Sequence, residues 1–405
     1  MRLSSETWPR LTWKSKVSEV ESVTIDDAIW EELIDLTGGA ATICYQCGSC
    51  TANCPWGLVS EETVSIRSMI RQAQLGLPLN EDSLWLCTTC GFCEAYCPRG
   101  VSISDVILGL RQLAWHGNLA PPGSPSLLWS VYWNNNPWSQ PPSQRSVWAK
   151  NLDLPDYDPA LHDVLLYIGC TSSYDRRAQL IAKAIVHLLR AAEVPFGVLN
   201  EDEPCCGESV LSLGHRLYFE EVARNAAQFL REKEVGRMVV ISPHCYDAFK
   251  NENRYLDDRT EVIHYTTFLA ELIDSGELLL DRPLEATVTY HDPCYLSRRN
   301  NECEAPRKIL QAIPGLEVEE MARSGEDTLC CGAGGGRMWM ETDPGMRFSD
   351  LRVHEAKATG ANLLATACPF CLTCLEDSVK GDPSSELEVK DIAEIAALAC
   401  GVSLE

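Results

Sequence analysis

No apolar run in this 405-residue chain approaches the ~20 residues that span a bilayer; the longest, such as Ile395–Cys400 and Met238–Ile241, are a handful of residues each. No charged start followed by an apolar stretch and a small-residue cleavage site stands near Met1. The expected location is therefore the cytoplasm, with any membrane association peripheral and made through partners. Positive charge is also short. Against 58 Asp and Glu there are only 34 Lys and Arg, a formal net charge of −24, and phosphate backbones would be repelled at long range. Nucleic acid is thus excluded as a partner. No Gly-x-Gly-x-x-Gly follows a strand-like run, which argues against a nicotinamide or flavin site. Gly332-Ala-Gly-Gly-Gly336 lacks the Lys-Ser/Thr of a phosphate loop; its expected role is close approach of backbone to a buried group.

What the chain has in excess is cysteine, twenty in all. So many thiols in a short secreted chain would suggest disulfides, but this chain is long and its cysteines are clustered, as metal ligands are. The first run is Cys44-x2-Cys47-x2-Cys50-x3-Cys54-Pro55, and the second is Cys87-x2-Cys90-x2-Cys93-x3-Cys97-Pro98. Both have the bacterial ferredoxin spacing, in which the fourth cysteine serves the other cluster. The expected cofactors are two 4Fe–4S cubanes, one on Cys44, Cys47, Cys50 and Cys97, the other on Cys54, Cys87, Cys90 and Cys93. Zinc sites use four ligands in paired sets and need no such doubled run. Trp56, Trp85 and Phe92 beside the runs are expected to exclude water.

Along the chain, residues 1–40 form a lead-in with a helical pattern over Ile25–Leu36. Residues 41–118 hold the two runs in a mainly helical ferredoxin-like module. Residues 119–160 are rich in Pro, Asn and Trp and read as an extended connector, packed within the chain. The rest is an internal repeat, residues 161–283 and 284–405. Cys170 matches Cys294, Cys205-Cys206-Gly207 matches Cys330-Cys331-Gly332, and Cys245 matches Cys371, at offsets of 124, 125 and 126 residues. In each copy strand-like runs (Val164–Ile168 and Met238–Ile241; Thr287–Tyr290 and Asn362–Thr366) lead into cysteine loops, and helix-period stretches such as Arg177–Ala192 intervene. The fold class expected is α+β and α/β multidomain, with a parallel sheet in each copy and the cysteines at the carboxyl ends of strands.

Copy two carries Cys294, Cys330, Cys331, Cys368 and Cys371, one thiolate more than a cubane needs. With His291-Asp-Pro-Cys-Tyr-Leu-Ser-Arg298 and Cys330-Cys-Gly-Ala-Gly-Gly-Gly-Arg337, it resembles the CCG, or cysteine-rich, domain found in the disulfide-cleaving component of heterodisulfide reductase. Leu84-Trp-Leu-Cys87 and Cys97-Pro-Arg-Gly-Val-Ser-Ile103 look like the ferredoxin-type component of the same enzyme, so the chain from about Ile43 onward is similar to a fusion of the two. The resemblance implies a non-cubane 4Fe–4S cluster on the five cysteines of copy two, as the catalytic site if the chain is itself an enzyme. Copy one has Cys170, Cys205, Cys206 and Cys245, but Ser242 stands where copy two has Cys368. A serine oxygen is a poorer ligand than thiolate for a soft site. A conventional cluster on four cysteines, a serine-completed one, and an emptied scaffold all stay open.

The resemblance further implies an electron-transfer subunit of a multi-subunit oxidoreductase, passing electrons through the cubanes to or from the non-cubane site. Its partners would be flavin- or iron–sulfur-containing subunits or a quinone-reactive membrane subunit. Alternatives are a chain that itself reduces a disulfide at copy two, and a zinc-bearing interaction scaffold. His244, His291 and Asp292 flank the cysteines, where they either move protons or fix loops; Arg298, Arg299 and Arg337 either counter cluster charge or meet an anionic substrate. Cys303, Cys374 and Cys400 fall outside the patterns.

Overall fold

The computed structural model describes residues 27–59, 64–78, 81–342 and 347–402. The ferredoxin-like module is built of helices alone among these residues: Ser49–Ala52, Trp56–Val59, Ile66–Gln74, Glu81–Leu86, Phe92–Ala95 and Ile103–His116. The two cysteine runs share one backbone path. Gln46 and Thr89, each just before the second cysteine of its run, have φ of 65° and 50°, and Gly48 and Gly91 just after it have 85° and 73°. These left-handed residues curl each run so that consecutive thiols face one centre. The lead-in helix runs over Ala28–Leu36 and packs on Ile103–His116; Ile25 and Asp26, where the pattern began, lie outside the described residues.

The connector is not extended as its prolines suggested. It holds an eleven-residue helix, Ser124–Asn134, and two short 3-10 turns. Pro125 sits in the first turn of that helix, where its missing N–H breaks no hydrogen bond. Its tryptophans divide. Trp148 and Trp138 pack inward, the latter edge-on to Trp339 at 5.2 Å, whereas Trp129 and Trp133 are 61% and 72% exposed.

Each copy is a four-stranded parallel sheet with helices on its faces. Copy one orders β1 (Val164–Tyr167), β2 (Phe196–Gly197), β3 (Arg237–Val240) and β4 (Glu261–His264) as β2-β1-β3-β4. Copy two repeats this with β5 (Ala286–His291), β6 (Leu316–Val318), β7 (Leu363–Thr366) and β8 (Glu388–Asp391) as β6-β5-β7-β8. The central strands β1, β3 and β7 are mostly apolar because helices cover both faces; Leu165, Leu166, Val239 and Leu364 are fully buried. Each such side chain removed from water contributes roughly 1.5–3 kcal/mol.

The copies share one core. Helix Gln179–Ala191 of copy one packs on Ile392–Ala399 of copy two, and Tyr265–Ser275 packs on Glu304–Gln311. Arg177 crosses between them to Glu376 and Glu394, both at 2.9 Å. A second core joins the helical module to both copies, with Val106, Ile107 and Leu110 clustered with Val210, Leu213, Tyr295 and Phe348. The helical module therefore sits on the face where the cysteine loops of both sheets emerge.

Candidate metal centres

All twenty cysteines are free, and those in the patterns gather into four groups, two in the helical module and one in each copy. Cys44, Cys47, Cys50 and Cys97 line one small cavity with Gly48, Arg67 and Val101. Cys54, Cys87, Cys90 and Cys93 form the next group, each thiol raising the cost of ionising its neighbours. Burial, reinforced by that repulsion, pushes Cys54 up to about 12; burial also pushes Cys87 up to about 11. Crowded thiols that resist ionisation gain from a shared cation, and soft sulfur donors suit an iron–sulfur core. Backbone N–H groups already point at the sulfurs: Ser49 to Cys47 at 3.5 Å, Thr89 to Cys87 at 3.4 Å and Val101 to Cys97 at 3.4 Å.

Copy one brings Cys170, from the helix after β1, to Cys205, Cys206 and Cys245 around a cleft that Ser242 also lines. Cys206 and Cys245 are 3.3 Å apart at Sγ. Burial pushes Cys170 up to about 12. The buried Glu203 carboxylate accepts from the backbone N–H of Ile168 and Gly169 and pairs with Arg145 at 2.8 Å, fixing the Cys170 loop. Copy two groups its five cysteines, with Cys331 and Cys371 3.2 Å apart, Cys294 and Cys330 3.9 Å apart, and Cys368 near enough to Cys371 for each to shift the other's ionisation. All five are buried. Gly332 N–H donates to Cys330 at 3.3 Å.

The seam between groups bears on how they are ordered: Cys90 of the helical module and Cys330 of copy two are near enough that each shifts the other's ionisation, and Arg298 of copy two donates to the Cys90 carbonyl at 2.7 Å. The glycine-rich loop makes this approach possible, though against the helical module's backbone and not the thiols alone. A Cβ on Gly334 would lie 2.4 Å from Thr88 O, and one on Gly335, at φ +62°, 2.3 Å from Cys87 O. Thr89 Oγ1 and Tyr295 Oη meet at 2.7 Å across the same seam.

Several neighbours are given roles that sequence reasoning left open. Arg298 donates to the carbonyls of Cys90, Glu326 and Thr328 and covers the Phe92 ring at 4.7 Å. Arg299 is held by Asp247 at 2.9 Å and Glu252 at 3.2 Å. Both arginines thus join parts of the protein instead of facing a ligand. Asp292 takes a bidentate grip from Arg307 and accepts from Gly325 N–H at 2.8 Å. Trp56 is buried and donates to Leu86 O at 2.7 Å. Arg337 and Cys374 line a cavity of about 540 Å³ with Cys331 and Trp56.

His244 was a loop histidine of copy one in the sequence; in the fold it reaches Cys368 of copy two. Glu208, not anticipated, holds its Nδ1 at 3.1 Å and itself accepts from Ser212 Oγ at 2.6 Å. Burial opposes charge on this pair, but each partner outweighs it, drawing His244 up to about 10 and Glu208 below the usual carboxylate range. Burial likewise opposes a Cys368 thiolate, and hydrogen bonds from Cys371 and His244 reverse it, holding that thiol low. The only advance signal for Glu208 was its place two residues after the Cys205-Cys206 pair.

The model of the CCG cysteine-rich domain matches residues 164–250 and again 288–376, and that of the 4Fe-4S dicluster domain matches 40–101. A probable iron-sulfur-binding oxidoreductase FadF of Bacillus subtilis is 36% identical over 66% of this chain and 39% of its own length. The EtfAB:quinone oxidoreductase of Syntrophomonas wolfei is 29% identical over 95% of this chain and 61% of its own length. One component of the dihydromethanophenazine:CoB--CoM heterodisulfide reductase of Methanosarcina barkeri is 35% identical over 66% of each chain. The chain thus spans between 39% and 66% of the lengths of these relatives. A hypothetical protein of Helicobacter pylori, of known crystal structure, shares the fold at a TM-score of 0.52 and 11% identity, over 94% of this chain and 74% of that one.

Proposed function

The chain belongs to the CCG family of iron–sulfur proteins related to heterodisulfide reductase, with a 4Fe-4S dicluster domain ahead of two cysteine-rich domains, and from that premise we propose that it is an electron-transfer subunit. Its helical module would hold two cubanes on Cys44, Cys47, Cys50 and Cys97 and on Cys54, Cys87, Cys90 and Cys93. Copy two would hold a non-cubane cluster on Cys294, Cys330, Cys331, Cys368 and Cys371, and copy one a further iron–sulfur cluster on Cys170, Cys205, Cys206 and Cys245, with Ser242 as its weak ligand. Such clusters supply one-electron transfer when bound.

The observation behind this reading is the close seam between the Cys87–Cys90 loop and copy two, where Arg298 donates to Cys90 O at 2.7 Å and Thr89 meets Tyr295 at 2.7 Å. It supports a route that runs through the helical module into copy two, with the two ligand shells side by side. Trp56 and Trp85, both buried, keep water from that seam, and Arg298 holds the two sides together through the carbonyls of Cys90 and Thr328. His244, reaching Cys368 from copy one, supports communication between the two copies. Partners are proposed from the family resemblance and from one relative's name, EtfAB:quinone oxidoreductase: a flavin- or iron–sulfur-containing subunit on one side and a quinone-reactive membrane subunit on the other. Among the described residues no helix is long and apolar enough to cross a membrane.

Iron and acid-labile sulfide analysis after anaerobic purification tests the reading. About twelve to sixteen irons per chain are expected for three or four filled sites, and fewer than about eight would sink it. Copy one should be the weaker holder, because a serine oxygen replaces a thiolate at position 242. Under chelator challenge its iron is expected to leave first, and Ser242→Cys should slow that phase several-fold. An unchanged release curve would remove Ser242 from the ligand set.

A further inference from the structure

His291 ends β5 and stands three residues before Cys294. It is fully buried, and one ring nitrogen lies within 4.8 Å of the Cys331 and Cys371 sulfurs. Its Nδ1 is paired with Arg352 Nε at 3.1 Å. A guanidinium only donates, so Nδ1 must present its lone pair and the ring's proton must sit on Nε2. That Nε2–H has no partner among the described residues. A buried donor left unpaired is costly, so it points to an acceptor belonging to the site itself.

Arg352 is in no position to let the ring turn over. It is fully buried, its Nη1 donates to Arg323 O and to Glu355, each at 2.8 Å, and its Nε is the group that meets His291. If Nε2 bound iron, its lone pair would be used there and the proton would move to Nδ1, setting two N–H groups against each other. The arginine therefore favours His291 as a donor and opposes it as a metal ligand. Copy one carries no such donor. Counting back three residues from Cys170 reaches Tyr167, whose hydroxyl donates to Pro204 O at 2.7 Å.

We propose that His291, its tautomer set by Arg352, donates its Nε2–H to the sulfur edge formed at Cys331 and Cys371, and that this hydrogen bond raises the reduction potential of the copy-two cluster. The inference rests on the reading that copy two holds a cluster. His291 acts as a positioning residue: a donor to sulfur stabilises the extra negative charge of the reduced state. The asymmetry with Tyr167 makes copy two the better electron acceptor of the two cysteine-rich copies.

Pulsed EPR on the whole chain, purified anaerobically with 15N-labelled histidine and exchanged into D2O, tests this when the wild type is compared with H291L. A weak nitrogen coupling and an exchangeable deuteron that vanish from the copy-two signal in H291L, leaving only any contribution of His244 at Cys368, are expected. A strong coupling typical of direct ligation overturns the proposal, and so does a cluster signal with no histidine coupling. Loss of that signal altogether, with iron only for the two cubanes, overturns the parent reading as well, so the two failures are distinct. In an EPR-monitored redox titration, H291Q, which keeps a donor, should hold the potential near that of the wild type. H291L should favour the oxidised form about tenfold, ~59 mV downward for one electron, with unchanged cubane signals. An unmoved potential in a fully loaded H291L chain overturns the tuning role.

Discussion

Anaerobically purified Cys331→Ala protein is expected to carry about four fewer irons than the wild type while its two cubane EPR signals stay unchanged. Cys331 is the second cysteine of the Cys330-Cys331 pair. It is buried, 3.2 Å from Cys371, in the middle of the copy-two group, and it also faces the cavity with Arg337 and Cys374. Removing it takes away one of five thiolates and leaves the others, with Cys330 and Cys371 both pushed up, without the geometry that made a shared cation favourable. The eight cysteines of the two ferredoxin runs lie on separate helices and loops and keep all their own thiols. Alanine is small and apolar, and the strands beneath the site do not depend on Cys331, so the chain should still fold. The paired control is Cys374→Ala, three residues beyond Cys371, which should leave the iron content as it was. If Cys331→Ala loses no iron, the copy-two ligand set is wrong; if it loses the cubanes too, the two modules are not independent holders.

The fold was legible where it rests on local codes. Two x2-x2-x3-Pro runs announce a helical ferredoxin-like module because their spacing is itself the geometry of wrapping a cube, and the self-alignment of Cys170 with Cys294 announces twin α/β copies. The candidate ligands could be named from the same spacing. What could not be read is whatever depends on which surfaces meet. Nothing near Cys90 in sequence says that copy two packs beside it, since 208 positions separate it from Arg298, which donates to its carbonyl. Gly334 and Gly335 suggested close approach but not its object, which proves to be the backbone of Thr88 and Cys87. Glu208 gave no signal beyond its place after the Cys205-Cys206 pair, because its meaning comes from His244, and that of His244 from Cys368 in the other copy. The connector misled for a different reason: a composition rich in Pro reads as extended chain, although Pro125, in a first helical turn, breaks nothing.

Arg111→Met is expected to lower the stability of the folded chain by about 3–5 kcal/mol, the range for removing one member of a buried charged network. Arg111 is fully buried in the helix Ile103–His116 and donates to four backbone carbonyls: Leu84 and Cys87 of its own module, Ser212 of copy one and Gly335 of copy two. It also lies 5.0 Å from the Trp85 ring centroid. Burial draws its guanidinium down to about 10, with the Cys87 sulfur working the other way. A buried cation with no carboxylate among the described residues is tolerable only because carbonyl oxygens and sulfur surround it. Methionine fills most of the volume but satisfies none of the four acceptors, and lysine has one ammonium where the guanidinium spreads donors over a plane. Because the four carbonyls come from three parts of the chain, the loss should fall on their docking. Denaturation followed by the cubane absorbance and by tryptophan fluorescence should separate into two transitions where the wild type shows one. Arg259→Met is the natural contrast, since that side chain is 84% exposed and its pair with Asp257 is a surface one, expected to matter by less than about 1 kcal/mol. Should Arg111→Met cost no more than Arg259→Met, the module would be held by its apolar seam alone. Should it cost the expected amount, the docking of the helical module on both copies would depend largely on one buried arginine.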